Sequence, residues 1–177
     1  MHSNAANNIA YQQDHDHSHC MTSALKQAQQ LCKANGQRLT KIRELVLKLI
    51  WQSHKPLGAY DLLPAIAKAG FNSAPPTVYR ALDFLQEQGL VHRLATLNAF
   101  IGCSHVGEKH QGYFLICREC GTTVELESSE IQDSISRCAQ SSGFSVEQEN
   151  VELLGLCPNC TEVLNSKSEN NPSENNQ

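Results

Sequence analysis

Apolar residues in the first half of the chain recur at the three- and four-residue intervals of amphipathic helices. The clearest run follows Thr40, which can cap a helix, and has apolar residues at positions 42, 45, 46, 49 and 50. Upstream, residues 24–35 are rich in good helix formers and precede Gly36, a residue type common at helix ends. The pattern therefore predicts two consecutive helices.

Two shorter helices are predicted next. One covers residues 59–69, and its inward residues are Leu62, Leu63 and Ile66. The other opens on Pro75 and Pro76, which suit a first helical turn because the N–H groups they lack would be unpaired there. Its inward residues are Val78, Ala81, Leu82 and Leu85, its outward residues are Thr77, Arg80, Asp83 and Glu87, and Tyr79 lies at the margin.

Two short extended runs, 90–95 and 99–103, follow the fourth helix and are separated by Thr96-Leu97-Asn98. Several short helices ending in a β-hairpin are typical of a winged helix-turn-helix, in which the last helix enters the major groove and flanking elements hold phosphates. We therefore predict a winged-helix DNA-binding domain over residues 22–102.

The second half of the chain alternates between strand and helix patterns. Strands are predicted at 113–116 and 123–126, on either side of a Cys-x-x-Cys-Gly turn, and at 144–156; Ser128 or Ser129 can cap a helix between the last two. This indicates an α/β domain over residues 111–162, after a hinge at 103–110. The polar ends predict a disordered His-rich arm over residues 1–21 and a disordered tail over 163–177.

Two Cys-x-x-Cys pairs, Cys117/Cys120 and Cys157/Cys160, can supply four thiolates to a tetrahedral zinc ion. Each pair lies at a predicted strand end, so the fold can bring the pairs to one edge. A dithiol redox switch and four unrelated buried cysteines are the alternatives, but two correctly spaced pairs seldom arise by chance. A closed four-thiolate site stabilises a fold and exchanges metal too slowly to be a good sensor.

A second group of possible zinc ligands mixes imidazole, thiolate and carboxylate, and its members are His92, Cys103, His110 and Glu125. Singly, each has an ordinary explanation, since a lone histidine is usually surface or filler and a lone cysteine a small buried hydrophobe. His105, two residues after Cys103, competes with His110. A metal bound by this group would fix how the two halves of the chain sit relative to each other.

The net charge of −4 is unevenly distributed along the chain: residues 22–100 carry a net +6 and residues 101–177 a net −8. This asymmetry suggests that only the first half meets a polyanion, although ordinary solvated surface gives similar counts. No export signal and no apolar run of membrane-spanning length is visible. We therefore expect a cytoplasmic protein without membrane contact, in which paired cysteines favour metal binding over structural disulfides.

Several motifs resemble those of the ferric uptake regulator superfamily, specifically its zinc uptake regulator branch. They are Arg38-Leu39-Thr40-x-x-Arg43, Ala59-Tyr60-Asp61-Leu62-Leu63, Pro76-Thr77-Val78-Tyr79-Arg80-Ala81-Leu82 and Gln88-Gly89-Leu90-Val91-His92, with Cys103, His110 and both cysteine pairs. The resemblance covers about residues 24–160. The chain departs from it at Lys41, where many relatives have proline, and in a shorter segment between Cys103 and His110.

The resemblance implies an α+β protein with an N-terminal winged helix-turn-helix domain and a C-terminal α/β dimerisation domain that carries a four-cysteine zinc site. It implies a zinc-responsive transcriptional repressor that binds double-stranded operator DNA as a homodimer and represses zinc-uptake genes. Two zinc ions per chain are implied: a structural ion held by Cys117, Cys120, Cys157 and Cys160, and a regulatory ion held by His92, Cys103, His110 and Glu125. The implied DNA-contacting residues are Tyr60, Thr77, Tyr79 and Arg80, and weaker candidates for phosphate contacts are Lys41, Arg43 and Lys48.

Three alternatives stay open at this stage. An iron- or peroxide-responsive regulator of the same superfamily is the first, although a thiolate-containing ligand set suits Zn²⁺ better than Fe²⁺ or Mn²⁺. A zinc hydrolase with Glu125 as base and a zinc-buffering protein belong to other classes. Neither explains the basic helical half, and no zinc-enzyme motif is present, so we expect no enzymatic activity.

Overall fold

The computed structural model describes residues 17–53, 55–107, 112–126, 128–147 and 149–169, with side chains between residues 21 and 166. The helices are α1 (His17–Ala34), α2 (Lys41–Trp51), α3 (Ala59–Lys68), α4 (Pro75–Glu87), α5 (Ser129–Ser141) and α6 (Pro158–Glu169). The strands are β1 (Val91–Leu94), β2 (Ala99–Gly102), β3 (Tyr113–Cys117), β4 (Thr123–Leu126) and β5 (Val151–Gly155). This element order confirms the predicted α+β fold.

The first four helices pack around one hydrophobic core, and β1 and β2 form an antiparallel hairpin beside it. All four residues predicted to face inward on α4 are buried. Phe84 on the same helix is also part of this core, and the Arg43 guanidinium lies 3.4 Å from the centroid of its ring. Arg43 also donates a hydrogen bond to the carbonyl oxygen of Arg38, at 2.7 Å. These contacts hold Arg43 against α4, and its predicted phosphate contact stays a prediction.

The C-terminal half contains a three-stranded sheet in the order β4-β3-β5. Strand β3 pairs antiparallel with β4 and parallel with β5, and α5 makes the crossover between β4 and β5. Ser128 caps α5 by accepting a hydrogen bond from the backbone N–H of Ile131. The central position of β3 puts its residues between possible functional groups on both neighbouring strands.

Three elements differ from the sequence prediction by more than one residue at a boundary. Helix α1 begins at His17 instead of residue 24, since Ala24, Ala28 and Cys32 bury its apolar stripe and extending an existing helix costs little. Strand β5 is limited to five residues because β3 offers five partners, so residues 144–147, 149–150 and 156 of the predicted strand are not part of it. Helix α6 starts at Pro158, which suits a first turn, and continues into the segment predicted as a disordered tail.

Residues 1–16 of the predicted arm, residues 170–177 of the predicted tail and His110 lie outside the described residues. Among the residues that are described, no helix combines the length and the apolar character that crossing a membrane requires.

Candidate metal centres and DNA-contacting face

The two Cys-x-x-Cys pairs converge on one point in the C-terminal domain. Cys117 is the last residue of β3, and Cys157 follows the neighbouring parallel strand β5, so the same ends of two adjacent strands deliver both pairs. The four Sγ atoms of Cys117, Cys120, Cys157 and Cys160 all lie within 4.8 Å of one another. The Sγ atoms of Cys120 and Cys157 are 3.7 Å apart. Four sulfur atoms at this separation can form the tetrahedral shell that structural zinc prefers.

The surroundings of this thiol cluster favour a thiolate at Cys117. The backbone N–H of Cys120 lowers the pKa of the Cys117 thiol to about 6, and the N–H of Cys157, 3.3 Å away, acts in the same direction. Cys160 behaves in the opposite way, because its hydrogen bond with Cys157 raises the pKa of its thiol to about 12. A bound cation would favour the thiolate of Cys160 because it offsets the repulsion from the neighbouring thiolate of Cys117.

A second centre draws ligands from both halves of the chain. The ligand atoms of His92 on β1, Cys103 after β2 and Glu125 on β4 lie within 4.8 Å of one another. His92 Nε2 is 2.9 Å from Glu125 Oε1, and Cys103 is fully buried. The structure thus brings together three of the four residues predicted for a mixed zinc site. The fourth, His110, lies outside the described residues, and the competing residue His105 is not part of this group.

Ser104 supports this mixed centre, although nothing in the sequence pattern distinguishes it. Its Oγ donates a hydrogen bond to Glu125 Oε2 at 2.8 Å, and its backbone N–H donates to the same oxygen at 3.4 Å. Both hydrogen bonds therefore engage Oε2. The other carboxylate oxygen, Oε1, lies 2.9 Å from His92 Nε2 and stays directed at the imidazole. Hydrogen bonds of this type orient a ligand before metal binds.

Packing around His92 is tight. The Phe114 ring meets the imidazole edge-on, with ring centroids 5.2 Å apart. A Cβ atom added at Gly112 would lie 2.5 Å from the Phe114 ring and 3.3 Å from His92 Nδ1. A side chain at position 112 would therefore displace the groups that hold the imidazole, which explains glycine at this position.

The residues predicted to contact DNA lie on α3 and α4. Arg80 is exposed on the outward face of α4, whereas Thr77, near the start of the helix, and Tyr79 are half-buried. Tyr60, the second residue of α3, is 66% exposed. An arginine side chain on an accessible helix face can reach a guanine edge in the major groove, where its two donors match two acceptors.

Comparison with known proteins shows the family. The model of the ferric uptake regulator family matches residues 34–154. The zinc uptake regulation protein of Escherichia coli strain K12 is 38% identical over 141 residues, which cover 78% of this chain and 82% of that protein. The chain belongs to the ferric uptake regulator family. The resemblance noted in the sequence motifs is thereby confirmed.

Two solved structures extend this family relationship to the fold. A zinc uptake regulator complexed with zinc and DNA has a TM-score of 0.78 and 36% identity, covering 82% of this chain and 97% of its own. The holo form of XcZur has a TM-score of 0.73 and 41% identity, covering 79% of this chain and 98% of its own. The family is one of transcription regulators.

Proposed function

We propose that this protein is a zinc-responsive transcriptional repressor that binds operator DNA as a homodimer and represses zinc-uptake genes when zinc is plentiful. The observation that carries the proposal is the mixed centre, in which imidazole and thiolate from the winged-helix half meet a carboxylate from the C-terminal half. The similarity to a zinc uptake regulator solved with zinc and DNA supports it. A thiolate-containing set also favours Zn²⁺ over the iron of the alternative regulators.

The mixed centre provides a mechanism for the response. Zinc held by His92, Cys103 and Glu125, with His110 as the proposed fourth ligand, would bind well only when the two halves are close together. A ligand shifts a conformational equilibrium by as much as it prefers one state, so zinc selects this closed arrangement. In the closed dimer the two α4 helices would be held at the spacing of successive major-groove half-sites.

The thiol cluster has a different proposed role. Its four cysteines fill a tetrahedral shell and leave no open coordination position, so the ion there would be structural and slow to exchange. Together with the mixed centre this gives two zinc ions per chain, one structural and one regulatory.

A second copy of the chain is the proposed partner of an apolar surface on the C-terminal half. Helix α5 has no buried residue, and Phe144, which follows it, is 74% exposed. Val146 lies beside Phe144 and α5, and the exposed pair Leu115 and Leu153 shares one face of the sheet. Apolar surface of this kind, beside the edge strand β5, marks an interaction site in a soluble domain. We therefore place the dimer interface here.

Changing Phe144→Glu is expected to convert the dimer into a monomer, because a charge would be buried in the proposed interface. Sedimentation velocity of the zinc-loaded protein measures this directly. Gln52→Glu adds the same charge at an exposed position of the N-terminal half, outside the proposed interface, and serves as the control. A Phe144→Glu protein that sediments as the wild type would place the interface elsewhere.

Arg80 is the proposed base-reading residue. Replacing it with alanine is expected to weaken specific binding by about 10- to 100-fold, the usual cost of losing a bidentate guanine contact, and to relax the preference at one base pair. Fluorescence anisotropy with duplexes varied one base pair at a time measures both effects. Arg137→Ala removes the same charge from exposed α5 and controls for net charge. A uniform loss across all sequences would assign Arg80 to phosphate contact instead.

The proposal as a whole is tested by zinc-buffered DNA binding. A duplex selected from a random pool by the zinc-loaded protein is titrated at fixed free zinc concentrations. Affinity is expected to rise by about 100-fold or more with zinc, the upper range of coupling between two ligands. Equal affinity with and without zinc would contradict the proposal, and a stronger response in an Fe²⁺-buffered series would favour the iron-sensing alternative.

A further inference from the structure

One row of residues crosses the C-terminal sheet and faces the winged-helix half at two points. Phe114 in the central strand β3 is paired with Glu125 on β4 and with Glu152 on β5. Side chains of paired residues in neighbouring strands lie on the same face of a sheet. The two carboxylates therefore flank Phe114 on one face, and only Glu125 belongs to the mixed metal centre.

Glu152 is bonded to the wing turn, the segment between β1 and β2. Its Oε1 accepts a hydrogen bond from the backbone N–H of Ala95 at 2.7 Å, and its Oε2 accepts one from that of Thr96 at 2.9 Å. Asn150 Nδ2 donates to Oε1 at 2.9 Å. A carboxylate with both oxygens engaged by consecutive backbone donors has a defined position and direction.

Polar contacts consequently join strand β1 and the turn after it to the C-terminal sheet at two places. His92 meets Glu125 through the mixed centre, and Ala95 and Thr96, directly after the strand, meet Glu152. Between them Leu94 packs against Phe114 and Ile116, but apolar packing is non-directional. The hydrogen bonds to Glu152, three residues after His92, therefore add a fixed direction to the contact.

We propose that Glu152 is a positioning residue that fixes the wing turn against the C-terminal sheet, so that zinc and Glu152 jointly set the DNA-binding arrangement. Its contacts use backbone donors and require no metal. Glu152 therefore stabilises the closed arrangement that zinc selects, although it touches neither the metal ligands nor the α4 face. This role rests on the proposed function, since it concerns the same closed state.

Zinc binding and closure of the two halves are thermodynamically linked, so loss of the Glu152 contact should change the zinc response. Glu152→Gln keeps the shape but replaces one acceptor oxygen with a donor group that faces a backbone N–H. Because closing would then be less favourable, the free zinc concentration at half-maximal DNA binding should rise about tenfold, the loss typical of a charged hydrogen bond. Zinc content at saturation should stay that of the wild type.

The experiment measures DNA binding of the full-length protein in zinc buffers for the wild type, Glu152→Gln and Glu147→Gln. The last variant removes the same charge from an exposed position of the same domain and should match the wild type. A purely structural role would lower the thermal unfolding midpoint of Glu152→Gln and leave its zinc midpoint unchanged. An unchanged zinc midpoint in Glu152→Gln, with a zinc-responsive wild type, would overturn the proposal.

Amide hydrogen exchange of the wild type provides a second measurement that does not depend on whether the variant folds. The N–H groups of Ala95 and Thr96 lie in an exposed turn, and in the zinc-loaded protein they should exchange about tenfold more slowly than in an unstructured peptide. Exchange at the peptide rate would overturn the proposed contact. If the wild type failed to respond to zinc, the proposed function would fail, while the exchange data would still report on Glu152.

Discussion

Replacing Cys103 with serine is expected to abolish the zinc response of DNA binding while the protein stays folded and retains one zinc ion. Cys103 is fully buried, and its thiolate is the softest ligand of the mixed centre. A serine hydroxyl stays protonated at neutral pH and is a poor zinc ligand. Loss of supporting contacts alone costs about 10- to 100-fold in metal affinity, so loss of the ligand should cost at least about 100-fold.

The measurement is DNA affinity across zinc buffers, together with zinc content per chain. Cys32→Ser is the matched control, because it also places a hydroxyl at a buried cysteine of the N-terminal half, outside both thiol-containing centres. The control should lose some stability and keep its zinc midpoint. A Cys103→Ser protein with the wild-type midpoint would remove this residue from the sensing site.

Replacing Cys157 with serine is expected to unfold the C-terminal half and, with it, to dissociate the dimer. The buried hydrophobic cluster that involves β3 is small, consisting of Leu94, Phe114 and Ile116. Structural zinc contributes an apparent free energy of about 10–16 kcal/mol in small zinc domains, roughly as much as the whole stability of an average domain at about 5–15 kcal/mol. A core of this size cannot compensate for the loss.

Circular dichroism during heating and sedimentation velocity measure both consequences. Cys138→Ser changes an exposed cysteine on α5 that is not part of the thiol cluster, and it should behave as the wild type. If Cys157→Ser kept the wild-type unfolding midpoint and remained dimeric, the thiol cluster would not be a structural metal site.

Local patterns predicted the features that depend on neighbouring residues. Patterns that span only a few residues identify the buried face of α4, the wing hairpin and the spacing within each cysteine pair. The contact of the Phe84 ring with the guanidinium of Arg43 was not predictable in this way, because Arg43 lies far earlier in the chain.

Contacts between distant segments account for the remaining residues that sequence did not identify. Ser104 matters because β4 brings Glu125 beside it, and Glu152 matters because β5 lies under the wing turn. Convergence of the two cysteine pairs likewise depends on the parallel pairing of β3 with β5. A serine and a glutamate are common surface residues, so only the three-dimensional pairing distinguishes these two.

The most direct test of a zinc switch between the two halves is zinc content per chain, measured before and after mild chelation, with DNA affinity determined on the same samples. We predict two zinc ions per chain. Mild chelation should remove one of them and abolish the high affinity for DNA, and restoring zinc should recover the lost ion and the affinity. The zinc switch would be contradicted by a single zinc ion that resists chelation. It would also be contradicted by high-affinity DNA binding that persists after the second ion has been removed.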